Sequence, residues 1–141
     1  MSSATRDAAG APPPLTGVLE TVLYFRDQER SERFYVDVLG MRLLDREPGR
    51  SLFFRAGDSV FLMFDAATTL RGGHLPPHGA SGPIHTCFVV PRECYDDWKR
   101  WLTALRVPIV REITWPRGLS FYFSDPDGNL LEIADGDIWP A

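Results

Sequence analysis

Short β-branched and aromatic runs alternate with amphipathic, helically spaced stretches along this chain, and the two kinds come in the same order twice. Val18 to Phe25, VLETVLYF, has the length and composition of a strand. Asp27 can then cap a helix over Gln28 to Leu39, whose buried face holds Ser31, Phe34, Tyr35 and Val38, and Gly40 ends it. Strands are predicted at Met41 to Asp45, Ser51 to Arg55 and Val60 to Phe64, with Ala56-Gly57-Asp58 turning the last two into a hairpin. The second pass has a strand at Ile84 to Val90 and a helix at Arg92 to Leu105, with Tyr95, Trp98, Trp101, Leu102 and Leu105 on one stripe. Strands follow at Ile109 to Ile113, Ser120 to Ser124 and Asn129 to Ala134. Superposing the halves sets Ser51-Leu52-Phe53-Phe54 on Ser120-Phe121-Tyr122-Phe123, and Val60 to Phe64 on Leu130 to Ala134.

The expected fold class is therefore α+β, built from paired βαβββ modules: module 1 at about 17–70, a Gly, Pro and His linker at 71–83, and module 2 at about 84–136. Residues 1–14, rich in Ala, Ser and Pro without apolar periodicity, are expected to form a mobile tail before one domain at 15–141.

The net charge of −4 and pI near 5.3 give no field for a phosphate backbone, so nucleic acid is excluded as the expected partner. No apolar run reaches the length of a membrane span or a signal-peptide core, and a cytoplasmic protein is expected. The two cysteines, Cys87 and Cys94, fit no zinc or disulfide pattern and are expected to be free thiols.

Three side chains interrupt apolar strands. Glu20 shares a strand face with Val22 and Tyr24; His85 lies between Ile84 and Phe88; Glu132 lies between Leu130-Leu131 and Ile133-Ala134. A carboxylate buried without a partner is costly, and a shared cation would neutralise Glu20 and Glu132 while accepting an imidazole nitrogen from His85. In the repeat, Glu20 and His85 occupy equivalent positions, while the counterpart of Glu132 in the first module is Leu62 or Met63. Taken singly, each has a plainer reading. Glu20 can face solvent or pair with Arg26 or Arg33, and a strand histidine can be a hydrogen-bonded core residue. Of the other candidates, His74 and His78 sit on the linker, Cys87 shares the face of His85, and Trp115 can line a site mouth. Trp98 and Trp101 fit a core or an interface. Asp125-Pro126-Asp127-Gly128 reads as a turn, because a calcium loop needs Gly where Leu130 stands.

The segments LETVLYFRDQERSERFYVDVLGM, GPIHTCFVV and SFYFSDPDGNLLEIAD, within Gly17 to Gly136, resemble the vicinal-oxygen-chelate superfamily of glyoxalases, bleomycin-resistance proteins and extradiol dioxygenases. The resemblance implies a curved mixed sheet around a central cavity and a divalent metal (Mn, Fe, Ni, Co or Zn) held by Glu20, His85 and Glu132. The first ligand position is more often His or Gln in such proteins, so Glu20 is a departure. It further implies a small-molecule substrate, a homodimer, and Lewis acid catalysis of lyase or isomerase type, with Glu132, Glu20 or His78 moving protons. The alternatives it leaves are a metal-free drug-binding protein and an Fe(II) dioxygenase.

Overall fold

The computed structural model describes residues 10–141; of the expected tail, positions 1–9 lie outside the described residues. The first module runs β1 (Glu20–Phe25), α1 (Gln28–Arg33), which widens into a π turn at Phe34–Val38, then β2 (Arg42–Glu47), β3 (Ser51–Ala56) and β4 (Ser59–Asp65). A short helix α2 (Ala66–Leu70) leads into the linker. The second runs β5 (His85–Val89), a 3₁₀ turn (Arg92–Cys94), α3 (Tyr95–Ala104), β6 (Arg111–Trp115), β7 (Gly118–Ser124) and β8 (Leu130–Ala134). Asp27 caps α1 as expected, its carboxylate accepting from Arg30 N. The strand expected at Ile109 begins at Arg111, because Arg106, in the left-handed region at φ 59°, and Pro108 keep the chain after α3 out of the sheet.

Each module forms its own four-stranded mixed sheet, ordered β1-β4-β3-β2 and β5-β8-β7-β6. In each, the first strand pairs in parallel with the last, and the remaining pairs are antiparallel. The register confirms the internal repeat: Glu20 pairs Val60 as His85 pairs Leu130, and Phe53 pairs Leu62 as Tyr122 pairs Glu132. The counterpart of Glu132 is thus Leu62, not Met63.

One face of each sheet joins a common core of Leu23, Phe25, Tyr35, Phe54, Phe61, Tyr95, Leu102, Phe121, Phe123 and Ile133. Phe61 meets Phe88 of the other module edge-on, with centroids 5.6 Å apart. Between these core faces a cavity of about 500 Å³ opens beside Thr21, Met41, Phe61, Thr86 and Trp98. The turn Asp125-Pro126-Asp127-Gly128 locks the modules together. Tyr35 Oη donates to buried Asp125 Oδ2 (2.7 Å), while Ser31 Oγ (3.1 Å) and Arg26 N (2.9 Å) donate to Asp127. Burial, and then the Asp125 charge, raise the Tyr35 hydroxyl well above its ordinary pKa, so it stays a donor. Tyr35→Phe removes that bond from a buried carboxylate and is expected to cost about 1–3 kcal/mol, read as a lower midpoint in urea at unchanged slope.

Among the described residues no helix is long and apolar enough to cross a membrane, and Cys87 and Cys94 are free.

Candidate functional site

The opposite face of each sheet lies away from the shared core, and these outer faces carry the chemistry. Because paired residues share a face, the outer face of the second sheet holds His85 on β5, then the row Cys87, Glu132, Tyr122 and Arg111 across four strands. That of the first holds the row Glu20, Val60, Arg55 and Arg42, with Val22 and Tyr24 further along β1.

His85 and Glu132 are brought together. The His85 side chain is 47% exposed and that of Glu132 is 6% exposed, with Nε2 and Oε1 3.1 Å apart. The other ring nitrogen, Nδ1, lies 2.8 Å from the Leu130 carbonyl. A carbonyl only accepts, so Nδ1 carries the proton, and in the neutral ring Nε2 turns its lone pair towards the carboxylate. Two acceptors facing each other need a proton or a cation between them. A separation of 3.1 Å also suits two neighbouring ligands each at about 2.1 Å from one ion, and a backbone carbonyl on the far nitrogen is the usual support of a metal-bound histidine. The pair therefore fits a divalent metal, and without one it requires a shared proton.

Glu20 does not join them. Expected as an interruption in a buried strand, it is exposed, because the buried side of β1 is the alternate one, Leu23 and Phe25. Neither arginine proposed as its partner takes that role: Arg26 pairs with Asp127 at 3.6 Å, and Arg33 forms no ion pair with Glu20. Among the described residues, no group of three or more His, Cys, Asp and Glu stands ready to hold a metal.

His78 comes back from the linker onto the outer face of the first sheet. Its Nδ1 shares a 2.7 Å hydrogen bond with the Tyr24 hydroxyl, and its ring meets Phe64 edge-on with centroids 4.9 Å apart. His74 and His78 both line a hollow of about 250 Å³ with Glu47 and Arg50. Trp115 falls on the outer face of the second sheet and donates to Ser120 Oγ (2.8 Å), whereas Trp98 and Trp101 stay on α3, the latter donating to Val38 O (2.8 Å).

Sequence reasoning missed Tyr122, whose ring centroid lies 5.9 Å from that of His85 and which pairs with Glu132. Its signal was present in the repeat, as the counterpart of Phe53. Burial and the charge of Glu132 raise its hydroxyl, so it faces the site as a neutral donor. Partial burial first, and the Glu132 carboxylate second, push the Cys87 thiol up to about 12. Iodoacetamide labelling of Cys87 is accordingly expected to stay slow up to about pH 10, against an ordinary thiol that ionises near 8.5. Half-maximal labelling rate below pH 9 would contradict that environment.

Comparison with known proteins places these features in context. Residues 17–133 match the family model described as Glyoxalase/Bleomycin resistance protein/Dioxygenase superfamily. The chain is 31% identical over 113 residues to glutathione transferase FosA of Serratia marcescens, covering 79% of this chain and 75% of that one. Among solved structures, lactoylglutathione lyase from Agrobacterium tumefaciens matches with a TM-score of 0.85 and 35% identity, over 89% of this chain and 98% of that one. A mutant of the fosfomycin resistance protein FosX from Listeria monocytogenes, complexed with Mn(II) and 1S,2S-dihydroxypropylphosphonic acid, shares the fold. Its TM-score is 0.66 at 20% identity, over 89% and 94% of the two chains.

Proposed function

The chain belongs to the glyoxalase/bleomycin resistance protein/dioxygenase superfamily, and from that premise we propose that it is a metal-dependent enzyme acting on a small molecule with two adjacent oxygens. The observation that carries this reading is the facing pair of acceptors, His85 Nε2 and Glu132 Oε1, on one sheet. When bound there, a divalent metal supplies Lewis acidity to the chelated oxygens.

His85 and Glu132 supply two ligands, and Glu20 the third, from a second copy of the chain. Glu20 sits on the first sheet where His85 sits on the second. A two-fold dimer that lays the first sheet of one copy beside the second sheet of the other therefore brings the outer-face positions together, twice over. Exposed Val18, Leu19 and Val89 flank these strands and would be covered in such a dimer. Three protein ligands leave positions for substrate, as catalysis requires. The same arrangement carries His78, held by Tyr24, in with Glu20. His78 then serves as general acid or base, while Glu20 or Glu132 takes a proton by releasing one oxygen. Tyr122, a neutral donor, steadies a developing negative charge.

The test is elemental analysis of protein purified without added metal. About one equivalent per chain supports the enzyme, and the metal found separates the chemistries: Fe(II) with oxygen uptake points to a dioxygenase, Zn or Ni to Lewis acid work. The rival reading is a binding protein of the bleomycin-resistance type, in which His85 is an imidazolium paired with Glu132. It prevails if no metal is found and none is taken up on titration.

A further inference from the structure

We infer that the Pro-rich arm before β1, Ala11-Pro12-Pro13-Pro14-Leu15, seats in the inter-module cavity of a second copy of the chain; this rests on the two-fold dimer of the proposed function. The cavity follows from the unequal turns of the repeat. Between β7 and β8, Asp125 to Asn129 reach across to Ser31 and Tyr35 on the helical segment of the first module. Between β3 and β4 only Gly57 and Asp58 intervene. This shorter turn leaves a space of about 500 Å³ between Ala56 and Gly57 on one side and Trp98 of α3 on the other. Met41, Phe88 and Val90 continue its apolar wall.

Composition, exposure and register select the occupant. Aromatic-lined grooves receive polyproline II segments, which are ordered before they bind and lose little entropy on docking. This chain carries three consecutive prolines followed by Leu15. Residues 11–19 are exposed throughout, and Leu15, at 97%, has nothing over its side chain in the single chain. The arm leaves β1 at a fixed point, because Val60 N donates to Leu19 O (3.0 Å). β1 and β5 are both edge strands with one side unpaired, so each has room for a neighbour. The dimer sets Glu20 beside the partner's His85. Equivalent strands facing across a two-fold axis perpendicular to them run antiparallel, so the chain traced back from Glu20 passes the partner's Thr86 to Val90. That is the stretch of β5 that lines the cavity. Counted residue for residue, Leu15 comes to lie against the partner's Val90, with the prolines continuing towards Trp98 and Met41.

The experiment cross-links full chains in which Cys87→Ser and Cys94→Ser remove the natural thiols. One chain carries Leu15→Cys and the other Val90→Cys or Met41→Cys; the two are refolded together and treated with a short bismaleimide. The expected product is a covalent heterodimer joined through the two introduced thiols, identified by mass spectrometry of the linked peptides. On the otherwise natural chain, Leu15→Asp is expected to raise the dimer dissociation constant at least about tenfold, the scale of burying one leucine, as read by sedimentation. A chain carrying both Leu15→Cys and Val90→Cys that yields an internally linked monomer makes its own cavity the seat and overturns the inference. A mixture that sediments as a dimer but forms no such cross-link, or a Leu15→Asp dimer as tight as wild type, also overturns it and leaves the dimer and the metal site standing. A wild type that stays monomeric overturns the dimer and the arm together.

Discussion

Glu132→Gln is expected to lose bound metal, its affinity falling on the order of a hundredfold or more, while the chain stays folded. Removing a partner that merely supports a ligand weakens metal sites by roughly 10 to 100-fold, and Glu132 is assigned here as a ligand itself. The reason the fold survives lies in the geometry of the pair. Glutamine keeps the shape of a side chain that is only 6% exposed, and its amide nitrogen donates where the carboxylate could only accept. The His85 lone pair, which faces Oε1 at 3.1 Å, then meets a donor, so neither proton nor cation is needed between them. The measurement is metal per chain after dialysis against a weak chelator, beside the thermal midpoint. Wild-type metal content in the variant would remove Glu132 from the site. A collapse in midpoint would instead show that the carboxylate holds the sheet together, and Glu132→Ala with His85→Ala would then be needed to separate the two roles.

Much of this is legible in the sequence. Strand alternation put Glu20 on a face with Val22 and Tyr24, and superposing the halves set Phe53 on Tyr122; both hold in the registers. What alternation cannot reveal is how far neighbouring strands cover a position on a given face. Glu20 and Glu132 look alike as carboxylates within apolar strands, yet Glu132 is buried and Glu20 exposed. The difference is one of position in the sheet: β8 is flanked on both sides by β5 and β7, whereas β1 is an edge strand bonded only to β4. The linker was equally opaque, since His74 and His78 are both loop histidines in sequence. Only the return of the chain over Phe64 gives His78 a partner in Tyr24, fifty-four positions away. The opposition of Arg42 and Arg55 was hidden too, because β2 carries a bulge between Leu43 and Asp45 that shifts its register against β3.

Mixing two inactive variants is expected to recover metal binding that neither shows alone. Glu20→Ala and Glu132→Gln each break both centres of a homodimer in which Glu20 comes from one copy and His85 with Glu132 from the other. In a heterodimer of the two variants, one centre receives both substitutions. The other receives Glu20 from the Glu132→Gln chain and an unaltered His85 and Glu132 from the Glu20→Ala chain, and so is intact. If chains exchange at random, half the dimers are mixed and half their centres whole, giving about a quarter of the wild-type metal content. Unfolding and refolding the variants together, and separately as controls, allows the exchange. A trio closed within one chain predicts no recovery at any ratio, because every chain then carries a broken site. The outer faces favour recovery: no third ligand stands beside His85 and Glu132 among the described residues, and the position equivalent to His85 on the other sheet holds a carboxylate that its own chain leaves exposed.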